Sequence, residues 1–134
     1  MGSAQARAAI DRFRIACERH PLVLAAFLGG SYAAGTARED SDIDLYLITA
    51  AADYPAFVAG RQGFMEAWGP PVWMDEVWDF ERLGFDMVLF ELADGVRGEL
   101  ALGHDRNFRA LHGGPHVVLV DPTSFLEGVE FPLL

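Results

Sequence analysis

Phe27-Leu28-Gly29-Gly30-Ser31, ten residues, and then Asp42-Ile43-Asp44-Leu45-Tyr46-Leu47-Ile48: the reading of this chain turns on that stretch. In extended backbone, side chains alternate between two faces, so Asp42 and Asp44 share one face while Ile43, Leu45 and Leu47 share the other. Tyr46 and Ile48 continue the apolar run, as in a buried strand. Two carboxylates at the mouth of a core strand, one short loop after a glycine-serine turn, can share divalent cations. That pairing points to metal-bound phosphate chemistry.

Several other sites open in a similar way. Asp40, Asp42 and Asp44 alternate like the start of an EF-hand loop, but Leu45 and Ala51 stand where that loop needs Gly and Glu. The glycines match neither G-x-G-x-x-G nor a G-K-[ST] phosphate loop. His112 and His116 are separated by Gly113-Gly114-Pro115, which cannot continue a helix into a zinc site. Ser31 lacks the frame of a hydrolase nucleophile. All four histidines read as surface or structural residues.

Burying two like charges is costly, and a bound cation is the natural remedy. A third carboxylate at strand spacing would complete a two-metal cage. Asp86, which opens the apolar strand Met87-Val88-Leu89-Phe90, is the best placed; Asp75, Asp79 and Glu91 are less so.

Outward from this centre, residues 4–20 predict an amphipathic helix with Ser3 as N-cap and Ala6, Ile10, Phe13 and Cys17 on its apolar side. Pro21 ends it, and residues 22–28 form the first core strand. A short helical turn is expected over 31–37 and the second core strand over 43–49. Asp53 can cap a helix with Pro55 in its first turn and Phe57, Phe64, Met65 and Trp68 on one side. After the break at Gly69-Pro70-Pro71, residues 72–80 read as a strand in which Trp73 and Trp78 serve the core or an interface. Residues 85–92 read as another strand, 96–111 as a helix and 116–120 as a last strand. This alternation predicts an α/β or α+β mixed sheet covered by helices. The apolar end, Phe131-Pro132-Leu133-Leu134, suits packing on a partner or a longer native chain.

The chain has 134 residues, half of them apolar, which fits one domain over 1–134. A single cysteine excludes an internal disulfide and a cysteine metal cluster. No apolar run is long enough to cross a membrane and no signal peptide opens the chain, so a cytoplasmic protein is expected. The net charge of −10 argues against a polynucleotide as main partner, because such surfaces are normally basic. A nucleoside triphosphate is compatible, since metal ions and local donors can carry its charge.

Gly30-Ser31, ten residues and Asp42-Ile43-Asp44, with Ser41 before the first carboxylate, resemble the signature of the nucleotidyltransferase superfamily. That superfamily includes DNA polymerase β, the antibiotic nucleotidyltransferases and the minimal nucleotidyltransferases of toxin–antitoxin pairs. The resemblance implies a mixed sheet flanked by helices. It implies that Gly30 and Ser31 hold the phosphates of ATP or another NTP, and that Asp42, Asp44 and Asp86 hold two Mg²⁺ ions, with Asp86 helping to deprotonate the acceptor hydroxyl. The implied activity moves AMP to a hydroxyl of a small molecule and releases pyrophosphate. Two alternatives stay open: an antitoxin that binds or modifies a helical toxin partner, and a nucleotide-binding domain without transferase activity. A homodimer is also open. Relatives often carry arginine where Ala33 or Ala34 stands, so a phosphate-binding cation must come from elsewhere; Arg38, Arg97 and Arg109 are candidates, but each reads first as a solvated surface arginine and none is counted in the site.

Overall fold

The computed structural model describes residues 2–69, 71–77, 85–106, 108–110 and 112–131. Pro70, Trp78, Asp79 and the tail Pro132-Leu133-Leu134, all named above, lie outside the described residues, as do residues 80 and 111 at the ends of two expected elements. Helix α1 spans Ala4–Arg19, and the Ser3 side chain accepts a hydrogen bond from the Ala6 amide at its N-terminus. Strand β1 follows at Val23–Leu28, the short helix α2 at Gly30–Ala34 and strand β2 at Ile43–Thr49. A 3₁₀ turn at Ala51–Asp53 leads into helices α3, Tyr54–Ala59, and α4, Arg61–Trp68. Asp53 does not cap with its side chain. Asp105, distant in sequence, accepts the Ala51 amide at 3.0 Å and so holds the start of the preceding turn.

Strands β3 (Pro71–Val77), β4 (Asp86–Leu92), β5 (Arg97–His104) and β6 (Val117–Val120) complete one mixed sheet of order β3-β4-β5-β2-β1-β6. The helix expected over 96–111 is largely a strand. Glu99, Leu100, Ala101 and Leu102 favour helix intrinsically, but Gly98 and Gly103 do not, and tertiary pairing overrides propensity. Here β5 lies in the middle of the sheet, parallel to β2 and antiparallel to β4. Gly98 permits that fit, because a Cβ there would run into the Ile43 backbone and approach its Cγ1 to 2.7 Å.

The sheet has two unlike faces. Ile43, Leu45, Leu47, Val88, Phe90, Leu100 and Leu102 pack beneath α1, α3 and α4 with Phe13, Phe57, Phe64, Met65 and Trp68. The indole of Trp68 donates to the Ala9 carbonyl at 2.8 Å, which satisfies its one polar atom in the core. On the other face, Ala25, Phe27, Ile48 and Ala101 are covered by Phe108, Leu126 and Phe131. Phe131 packs on its own chain, 5.0 Å from the Phe27 ring. Trp73 is not in the core: it lies 54% exposed on the edge strand β3. Cys17 is buried in the α1 interface as a small apolar group, and burial pushes its thiol far up.

Candidate active site

Gly30 joins the two halves of the deciding stretch. Its φ of +60° lies in the left-handed region, where side chains are disfavoured, and a Cβ there would collide with the Asp44 carboxylate. The Gly29 amide donates to the Asp44 carbonyl at 2.9 Å and pins the turn to β2. A side chain at Gly29 would also strike the rings of His112 and Tyr46, each 2.7 Å from the Cβ position. Both glycines are thus required by what lies against them. The loop between the halves is closed locally: Ser41 Oγ accepts the Arg38 amide at 2.8 Å, and the Ser41 amide donates to the Arg38 carbonyl at 3.1 Å. Ser41 shapes the approach to Asp42.

Asp44 is half-buried and Asp42 is exposed. Burial raises the Asp44 carboxyl to about 6, and the charges of Glu99 and Asp42 push in the same direction. Glu99 was absent from the candidates read from sequence. It stands directly opposite Asp44 in the parallel β2–β5 register, on the same face of the sheet. The helix expected over 96–111 concealed it; alternation of Glu99 and Ala101 against Gly98, Leu100 and Leu102 is the signal that could have revealed it.

Asp86 is not brought to this group. It pairs with Leu102, whose side chain belongs to the helix-covered face, and so points away from Asp44 and Glu99. It is 5% exposed and accepts a 2.6 Å hydrogen bond from the Tyr54 hydroxyl. Burial and Asp86 both raise the Tyr54 phenol well above its ordinary range. Asp86 thus anchors α3 to the sheet. Asp75 and Glu91 also lie away from Asp44, on β3 and at the β4 position paired with Arg97.

An open cleft of about 620 Å³ adjoins Asp44, bounded by Gly30, Ser31, Thr36, Tyr46, Phe85 and His112. His112 Nε2 lies 2.8 Å from the Pro115 carbonyl, an acceptor only, so Nε2 carries the proton of the neutral ring. Nδ1 then accepts from the Tyr46 hydroxyl at 3.1 Å. Burial, followed by Asp44 and Glu99, pushes the Tyr46 phenol up to about 12, which keeps it a donor. His112 is structural, as expected, and its structural work is to hold one wall of this cleft. A second cavity of about 650 Å³ reaches Asp42 from the side of the α1 N-terminus and includes Arg97. Of the three arginines considered, Arg97 alone lines a cavity with one of these carboxylates. Arg38 lies beside Asp40 at 4.0 Å, largely in solvent, and Arg109 lies over the Phe108 ring at 5.1 Å.

Among the described residues, no three His, Cys, Asp or Glu side chains form a closed group that could hold a metal ion. The carboxylates offer oxygen ligands only, as a hard divalent cation prefers, and Asp44 is raised first by burial and then by the charges of Glu99 and Asp42.

The family model described as a nucleotidyltransferase domain matches residues 11–78, just over half of the chain and the whole of this glycine-to-aspartate unit. The chain belongs to the nucleotidyltransferase domain family. Ten solved chains resemble this nucleotidyltransferase domain in structure. An aminoglycoside 6-adenyltransferase from Bacillus subtilis shares 18% identity at a TM-score of 0.52, over 75% of this chain and 34% of its own. The Cid1 poly(U) polymerase, in a structure with Mg and 3′-dATP, shares 16% identity at a TM-score of 0.58, over 78% of this chain and 32% of its own. The domain therefore spans about a third of the length of these neighbours, and at such identities the likeness concerns the fold. No curated protein sequence matches it. Among the described residues, no helix is long and apolar enough to cross a membrane.

Proposed function

We propose that this nucleotidyltransferase domain transfers AMP from ATP to a hydroxyl of a small-molecule acceptor in a Mg²⁺-dependent reaction. The observation that carries the reading is the close approach of Gly30 to the Asp44 carboxylate, which sets the glycine turn directly against an acidic group. The turn's amides and the Ser31 hydroxyl would bind the β- and γ-phosphates. Asp42, Asp44 and Glu99 would hold Mg²⁺, with Glu99 replacing Asp86 in the expected set. Bound there, the metal would neutralise the triphosphate and stabilise the attacking and leaving oxygens. Glu99, exposed on the Asp44 face, would take the proton of the acceptor hydroxyl as its oxygen attacks the α-phosphorus. The bond to the β-phosphate oxygen breaks and pyrophosphate leaves. Arg97 would supply the cation that Ala33 and Ala34 cannot.

The structural neighbours are an aminoglycoside adenyltransferase and a poly(U) polymerase, so acceptor assays should include both an aminoglycoside and an RNA 3′ end. Isothermal titration with ATP and Mg²⁺ tests the site: binding is expected for the wild type and is lost in the Asp42→Asn, Asp44→Asn double variant. Equal binding by both would end the proposal. The presence of alanine at positions 33 and 34 favours a second reading, nucleotide binding without transfer. Release of pyrophosphate in the presence of an acceptor separates the two.

A further inference from the structure

A furrow of about 390 Å³ runs between α1 and α4, on the side of the sheet opposite Asp44. Ile15, Phe64 and Ala67 form its apolar wall, and Arg12, Arg19 and His20 are the polar side chains along it. His20 Nδ1 accepts the Leu22 amide hydrogen at 3.1 Å, so in the neutral ring Nε2 carries the proton. Each of these three side chains therefore offers the furrow a hydrogen-bond donor. Among the described residues no acidic side chain lines it, although the chain carries 20 acidic residues against 10 lysines and arginines. The two acids of α1, Asp11 and Glu18, are instead engaged by Arg14, each at 2.7 Å. Arg12 reaches Asp94 only at 3.9 Å, and Arg19 makes no ion pair among the described residues.

The open space of the furrow is not demanded by packing within the chain. Gly63 sits inside α4, where glycine is disfavoured relative to alanine, and nothing among the described residues lies within 4 Å of the position a Cβ would take. An apolar trough edged by cationic donors complements an apolar body that brings its own negative charge. Its course along two helices suits an elongated ligand.

We infer that the α1–α4 furrow docks an acidic amphipathic helix of a partner protein, its apolar stripe against Phe64 and Ala67 and its carboxylates on Arg12 and Arg19. This surface is separate from the transferase site, and its occupancy does not depend on nucleotide.

The probe is a fluorescein-labelled peptide of about 18 residues, with leucines at helical i, i+3, i+4 and i+7 spacing and glutamates elsewhere. Fluorescence anisotropy on the whole chain should show saturable binding of this peptide and none of its lysine counterpart. Arg12→Ala with Arg19→Ala should weaken binding about tenfold or more, as should filling the furrow by Gly63→Leu. Arg19→Ala alone, at an exposed position, gives a smaller loss and decides the matter should the double variant fail to fold. Absence of saturable binding, equal binding of the lysine peptide, or affinity unchanged in the folded variants overturns the inference. Complete displacement by an equimolar short-chain fatty acid overturns it in favour of a small carboxylate ligand.

Discussion

Glu99 stands opposite Asp44 across a parallel strand pair, while Asp86, one strand further out, points through the other face of the same sheet. This parity places Glu99, and not Asp86, on the face of Asp44. Glu99→Gln is expected to lower nucleotidyl transfer at least about a hundredfold while leaving the urea midpoint near that of the wild type. Asp86→Asn retains an oxygen that accepts from Tyr54 and should keep transfer within a few-fold of the wild type. Steady-state pyrophosphate release from the two variants checks the assignment; loss in Asp86→Asn alone would reverse it.

Tyr54→Phe should destabilise the fold by about 1–3 kcal/mol, because the buried Asp86 carboxylate would lose its 2.6 Å donor. Urea unfolding with and without ATP and Mg²⁺ should give the same difference, since this bond lies on the face away from the cleft.

Gly30→Ala imposes a side chain at φ +60° and drives it into Asp44. The conformational strain alone is about 1–2 kcal/mol. Metal-dependent ATP binding should fall below detection by calorimetry even where circular dichroism shows a folded protein, because relieving the collision displaces the carboxylate.

Asp44 favours the folded state in acid. Its carboxyl titrates at about 6 in the fold and at its ordinary 3.8 when exposed, so the native state binds more protons between these values. Its contribution is fully present below about pH 4 and is lost as pH rises through 6. Discounted for the partial exposure of Asp44, the loss is on the order of 1 kcal/mol. Without divalent metal, Asp44→Asn should therefore be more stable than the wild type at pH 7.5 by about that amount, with the gap closing near pH 4. Chemical denaturation in EDTA across this range measures it. A gap independent of pH would contradict an origin in the buried carboxylate.

Gly98→Val should cost more than about 3 kcal/mol, since the added atoms meet the Ile43 backbone and the Phe90 ring. Were residues 96–111 helical, the same change would be nearly neutral. Thermal unfolding of the variant distinguishes the two.

The sequence was legible wherever pattern and chemistry agree locally. Ser3 caps α1, the strand expected over 43–49 has those bounds, and Gly30 lies against the Asp44 carboxylate. Phe57, Phe64, Met65 and Trp68 fill the core they were assigned to, although the helix carrying them is broken at Gly60. Local sequence was silent where a partner from elsewhere in the chain decides the outcome. Asp105 holds the amide that opens the turn before α3, while Asp53, expected to cap that helix, does not, and Phe131 covers a face that nothing near it in sequence announces.

By itself, then, the amino-acid sequence determined the family and proposed half of the candidate site. The Gly30-Ser31 turn and the Asp42-Asp44 pair are joined by one short loop, and alternation along a single strand settles which side chains share a face. The other half belonged to tertiary structure. Glu99 and Asp86 each sit on a plausible strand beside apolar neighbours, and their separation along the chain from Asp44 says nothing about register. Only the pairing of β5 between β2 and β4, with Gly98 packed on Ile43, fixes which carboxylate shares a face with Asp44, because moving a strand by one residue turns every side chain to the other face.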